Sequence, residues 1–177
     1  MPRLPLILLS ALTLTLGGCF MSSDALIKPA SADYPWSNLR AQQFKWSDGK
    51  WQAEGYVSLR REGPNYRLED ERTRDVTRFL AHQIGDNRYV VQLQDTSGSG
   101  DAAYTYALLV AEGKRVYQYS FDDPSKRCQI PGIDAAALKL KRYEDGCGVP
   151  SLASLVQIFD ALQKAQPKFE IMYELQP

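Results

Sequence analysis

The chain has 177 residues, 21 basic and 21 acidic, and a formal charge of zero at pH 7. Balanced charge gives no broad basic face, which argues against nucleic acid as a partner, and the length suits one domain with a proper core. A single histidine and three cysteines narrow the room for metal and nucleophile chemistry.

Arg3 and the free amino group supply a short positive region, and residues 4–16 (LPLILLSALTLTL) are almost wholly apolar. That run falls short of the roughly 20 residues needed to span a hydrocarbon core and has the size of the apolar part of a signal peptide. Leu16-Gly17-Gly18-Cys19 then resembles the lipobox of bacterial lipoproteins. The resemblance implies cleavage before Cys19, acylation of its sulfur and of the new amino group, and stable anchoring by two or more chains. Phe20, standing where similar lipoproteins retained at the inner membrane carry aspartate, points to the outer membrane, facing the periplasm. Two other readings compete: an ordinary secretory cleavage site at Ala30-Ser31-Ala32, which lies far beyond the apolar run, and a buried apolar helix ending in a chance cysteine. On the lipobox reading, residues 1–18 are a signal peptide. Residues 19–35, small, polar and proline-bearing, are expected to be a flexible tether, and 36–177 form a single domain.

From Trp36 the dominant period is two, which predicts strands. Residues 53–60 alternate, and Glu62-Gly63-Pro64-Asn65 supplies a turn before a return through Tyr66 and Leu68. The mixed charges of 69–75 read as a solvated loop or edge. A strand is predicted over 76–84, a turn at Gly85-Asp86-Asn87, and a strand over 89–94 with Tyr89, Val91 and Leu93 on one face. Residues 95–101 (DTSGSGD) have loop composition. They fail as an EF-hand because Tyr106 stands where the bidentate glutamate belongs. A clear hairpin follows: Tyr104, Tyr106, Leu108 and Val110 share a face, Glu112-Gly113-Lys114 turns, and Tyr117, Tyr119 and Phe121 share a face on the way back.

With Cys19 taken by lipid, Cys128 and Cys147 remain as a pair in an oxidising compartment, and a disulfide is expected between them. Asp134 is placed to cap a short helix over 135–140. Ser151 caps the one long helix, with Leu152, Leu155, Val156, Phe159 and Leu162 on its apolar face, and Pro167 stops it. A last strand is predicted over 168–175. The fold class that results is α+β: a curved antiparallel sheet or sandwich of six to eight strands with one long C-terminal helix packed on it.

No catalytic constellation emerges. His82 shares a strand face with Leu80 and Ile84 and reads as a structural histidine. No GxSxG, HExxH, Walker loop or dinucleotide fingerprint is present. Asp122-Asp123 and Glu144-Asp145 are carboxylate pairs of the kind glycosidases use, but adjacent residues at element ends read better as turn formers. Neither a metal site nor a cofactor is indicated. The ten tyrosines and three tryptophans are the more pointed signal. Amphipathic rings suit glycan and protein interfaces, and Trp51, Tyr104, Tyr106, Tyr117 and Tyr119 form a candidate aromatic binding surface; the alternative is that they are ordinary strand formers. Gly49-Lys50-Trp51 before a strand meander and a late helix is similar to lipocalins, though the other lipocalin motifs are missing; that resemblance implies a barrel with an apolar interior. Three functions stay open: a lipid-anchored, non-catalytic binding module with a membrane anchor and an envelope protein or glycan partner; an envelope hydrolase using carboxylates; and a carrier of a hydrophobic ligand.

Overall fold

The computed structural model describes residues 20–94, 104–119, 128–143, 146–165 and 169–176. These form β1 (Phe20–Ser22), β2 (Leu39–Ser47), β3 (Lys50–Glu62), β4 (Asn65–Asp70), β5 (Val76–Gly85), β6 (Arg88–Gln94), β7 (Tyr104–Glu112), β8 (Arg115–Tyr119), β9 (Lys141–Arg142), β10 (Cys147–Gly148), α1 (Leu152–Lys164) and β11 (Phe169–Leu175). Eight strands close into an antiparallel barrel in the order β2-β3-β4-β5-β6-β7-β8-β11, β11 pairing back onto β2. The expected curved sheet with a late helix is present, and the curvature continues to closure. The fold is thus mostly β. Closure removes the exposed strand edges that an open sheet would have to protect.

Alternation sends Val57, Leu59, Leu68, Phe79, Val91, Leu109, Val116 and Tyr173 into the barrel. One irregularity redirects the pattern. Gln43 pairs with Gly55 and Phe44 with Ala53, so Glu54 is an extra residue in β3 and the parity flips beyond it. Trp51 therefore faces outward beside its cross-strand partner Trp46, whereas unbroken alternation from Val57 would have turned it inward. The β2–β3 turn uses Asp48 and Gly49 at φ 52° and 75°, the left-handed pair a tight hairpin requires.

A second apolar layer lies on the outer side of the wall. Leu80, Val90, Tyr106 and Leu108 from β5, β6 and β7 meet Leu155, Ile158 and Phe159 of α1. The helix is capped as expected, the Ser151 hydroxyl accepting from the Ser154 N–H at 3.1 Å, and Arg88 of β6 pairs with Asp160 at 2.6 Å. Its buried face includes Ile158 and leaves Val156 only half-buried. Residues 20–35, expected as a tether, depart from that reading. Phe20 and Ile27 are buried in the outer layer, and β1 pairs with both β7 and β10. Gln92 receives the segment: its Oε1 accepts from the Ile27 N–H at 2.7 Å, and its Nε2 donates to the Ile27 carbonyl at 3.0 Å. Tyr106 Oη adds a hydrogen bond with Ser22 Oγ at 2.7 Å. A polar average over sixteen residues conceals the few apolar anchors that dock it, so the ordered domain reaches back at least to Phe20.

Cys128 and Cys147 form a disulfide with a Cα–Cα distance of 5.1 Å, tying β10 to the segment before β9. The helix expected over 135–140 is only a turn. Asp134 Oδ1 does accept from the N–H groups of Ala136 and Ala137, but Lys139 at φ 55° ends the winding. Pro167, Phe121 and residues 95–101 lie outside the described residues.

Candidate functional site: the barrel interior and its aromatic wall

Within the barrel an apolar cavity of about 60 Å³ is lined by side chains including Leu39, Val57, Leu68, Val91, Leu109 and Leu175, with Gln118 the polar contributor. Trp36, just before β2, closes the mouth. Its ring packs against Tyr89 and Tyr66 at centroid distances of 4.9 and 5.7 Å. Tyr66 clasps the same residue through its backbone: Tyr66 Oη donates to the Trp36 carbonyl at 2.8 Å and accepts from the Trp36 N–H at 3.0 Å. Burial raises the Tyr66 phenol above its ordinary range, so it stays a donor at neutral pH. Tyr34 extends the closure. It donates to the Pro64 carbonyl at 2.8 Å and lies under the Arg61 guanidinium, 3.6 Å from the ring centre.

The segment leading to Trp36 is held by the one histidine. His82 Nδ1 lies 2.7 Å from the Ser31 carbonyl and 3.2 Å from Asp33 Oδ2, while Asp33 also accepts from the Gln83 N–H at 2.8 Å. His82 shares its outer face with Leu80 and does the structural work expected of it. Deeper in the barrel Tyr173 is buried, its phenol raised by loss of water, and its hydroxyl lies 3.5 Å from Gln118 Oε1. The interior thus offers shape and apolar surface, with few polar groups, among them the Gln118 and Gln43 amides and the Tyr173 hydroxyl. Such a lining solvates hydrocarbon well and charge poorly.

The expected aromatic surface is divided by the structure. Tyr106 is fully buried in the outer layer, its phenol raised by that burial, and Tyr119 is buried as well. Tyr104 is half-buried against the same layer. Trp51 and Tyr117 do share an outer face, with ring centroids 6.3 Å apart. The remaining members of this face went unread in the sequence: Trp46, 45% exposed and 5.3 Å from Trp51, and Phe169, 4.7 Å from Tyr117. The register places Phe44 and Tyr117 on either side of Met172, which is buried on the outside of the barrel. The strand pairing was the missing signal: the β2–β3 hairpin sets Trp46 beside Trp51, and Phe169 and Tyr117 join them only when β11 inserts between β8 and β2.

Cys19 and the acidic pairs Asp122-Asp123 and Glu144-Asp145 lie outside the described residues. Among the described residues, no group of three or more His, Cys, Asp or Glu side chains is placed to hold a metal ion, and no helix is long and apolar enough to cross a membrane. Comparison with known proteins finds no family model, no curated protein and no solved structure that matches the chain.

Proposed function

We propose that the protein is a lipid-anchored, non-catalytic binding module of the bacterial cell envelope, held at the outer membrane facing the periplasm, and that its ligand is an apolar chain taken into the barrel. The observation that carries this reading is the apolar cavity beneath Trp36, inside an eight-stranded barrel. Barrels of eight strands are just wide enough to be filled by side chains or to admit one small ligand. At about 60 Å³ the cavity is smaller than the roughly 150 Å³ void that takes up benzene in an engineered core. A longer chain enters by displacing Trp36 from the mouth. The Tyr66 clasp is what it must break: two hydrogen bonds and a ring contact, all at the rim. The lipobox-like Leu16-Gly17-Gly18-Cys19 supports the anchor and the compartment.

The test is titration of the protein with an alkyl-naphthylamine fluorophore, with a saturated fatty acid as competitor. Saturable binding, displaced by the acid and abolished by Val91→Phe, is the expected result. Trp36→Ala should raise the rate of uptake without abolishing binding. Absence of saturable binding up to the solubility of the probe, in protein whose melting is cooperative, would sink the reading.

A further inference from the structure

We propose that the aromatic sector of the barrel wall, exposed Trp46 with half-buried Phe44, Trp51, Tyr117 and Phe169, rests on the phospholipid bilayer that holds the amino-terminal lipid. The inference rests on the lipid-anchor reading of Cys19 and adds an orientation to it.

The first argument is the lack of slack. Cys19 is followed directly by Phe20, which is already in β1 and buried, so lipid on Cys19 sits one Cα spacing, about 3.8 Å, from the folded sheet. A domain attached so closely cannot stand clear of the membrane; some face must lie against it.

The second argument says which face. β1 and β8 occupy the same edge of β7 in tandem: Phe20 is opposite Tyr106, and Gln118 is opposite Leu109. Three residues along β7, about 10 Å, therefore separate the start of β1 from the end of β8. Tyr119 closes β8, and from it an unbroken row of ring contacts runs to Phe169 at 4.4 Å, on to Tyr117 and Trp51, and out to Trp46. The row begins beside the attachment point and ends at the most exposed large apolar side chain among the described residues.

The third argument is contrast with the rest of the wall. The sector over β5, β6 and β7 is covered by α1 and the amino-terminal segment. Outside that cover, β3, β4 and the start of β5 carry ion pairs, Arg67 with Glu69 and Arg78 with Glu62. Among the described residues, this sector is the one that exposes a large apolar side chain, Trp46, and Lys50 and Lys45, the latter paired with Glu170 at 4.0 Å, are exposed at the same end of the barrel. Tryptophan and tyrosine favour the water–lipid boundary, and adjacent lysines favour its phosphates.

The chain's three tryptophans make the test self-contained. Full-length protein processed in a bacterial host is reconstituted into phosphatidylcholine–phosphatidylglycerol vesicles brominated on their acyl chains, and mass spectrometry of the amino-terminal peptide reports acylation in the same sample. Single-tryptophan variants are made by changing the other two tryptophans to Phe. Trp46 and Trp51 should each lose roughly half their emission or more, with Trp36, at the other end of the barrel, far less affected. Trp46→Asp, at an exposed position, should release Trp51 from the quencher. Acylated protein in which Trp46 and Trp51 are quenched no more than Trp36 would overturn the orientation and leave the anchor standing. Protein with no acyl chain on Cys19 would overturn the anchor and this proposal together. Quenching confined to Trp36 would place lipid in the barrel and reject docking.

Discussion

Inside and outside the barrel, the same strands contribute to two apolar layers that differ in how closely they are filled. Among the described residues, eight of the ten largest fully buried side chains belong to the outer layer, including Tyr106, Phe159, Leu108 and Ile158; Tyr66 and Val57 belong to the interior. The interior instead keeps a cavity, a partly exposed Trp36 at its mouth and side chains still slightly open to solvent. Dispersion contacts are lost wherever a lining faces a void, so the two layers contribute unequally to stability per residue. The lesson is a division of labour: tight packing under α1 secures the wall from outside, while its inner face is less closely filled.

The largest expected effect tests that asymmetry directly. Phe159→Ala should cost about 3–5 kcal/mol, while Leu109→Ala in the interior should fall at the low end of the ~2–5 kcal/mol range for such changes, since Leu109 already borders a void. Paired thermal melts measure both; equal losses would break the comparison. Next comes the disulfide, which fastens β10 to the outer layer's edge. A Cys128→Ser, Cys147→Ser double variant should lose about 3 kcal/mol in the chain-entropy model, leaving the barrel strands protected in hydrogen exchange. Loss of protection throughout β5 and β6 would show that the layers are not separable. A smaller effect is expected from Val91→Leu, which adds a methylene beside the cavity. Stability should change by less than about 1 kcal/mol while fluorophore binding weakens, and a strongly destabilised variant would mean the interior is already full.

The smallest effect lies on the charged part of the wall. Hydrogen bonds from Arg40 and then Ser58 hold the Glu71 carboxyl at about 2, below its ordinary 4.5. A depressed carboxyl stabilises the fold above its unfolded value and loses that contribution as pH falls from 4.5 towards 2. Arg40→Ala should therefore lose a little stability at pH 7, little because the pair is solvent-exposed, with the difference from the parent shrinking as pH falls from 4.5 towards 2. Acid titration of both proteins by circular dichroism reads the difference.

Much of this was legible in the residues. Tyr89, Val91 and Leu93 fall on one face and Tyr106 and Leu108 on another because strand alternation is a local property. The helix cap at Ser151 and the cysteine pair were readable for the same reason. What stayed hidden was non-local. β2 was not anticipated: its inward residues Leu39, Ala41 and Gln43 make a weak apolar pattern, and Asp48-Gly49 went unread as a hairpin turn. The bulge at Glu54 reverses Trp51, and its trace in the sequence is a single glycine, Gly55, inside the strand. The candidate aromatic surface failed at Tyr106 and Tyr119, since period two tells which residues share a face but not that α1 and β1 cover it. The cavity depends on closure of the sheet, and closure depends on β11 pairing with β2, from which it is 126 residues distant at the Ile171–Lys45 pair.

The position of β1 has a mechanical consequence. Its backbone is hydrogen-bonded on both sides, antiparallel to β7 and parallel to β10, and the Val149 N–H donates to the Met21 carbonyl at 2.8 Å just beyond. Tension drawn along the amino terminus acts down the axis of β1, nearly at right angles to those bonds, so they are loaded together in shear and cannot be unzipped in turn. Force is passed on one side into the barrel wall and on the other, through Cys147, into a covalent crosslink to Cys128.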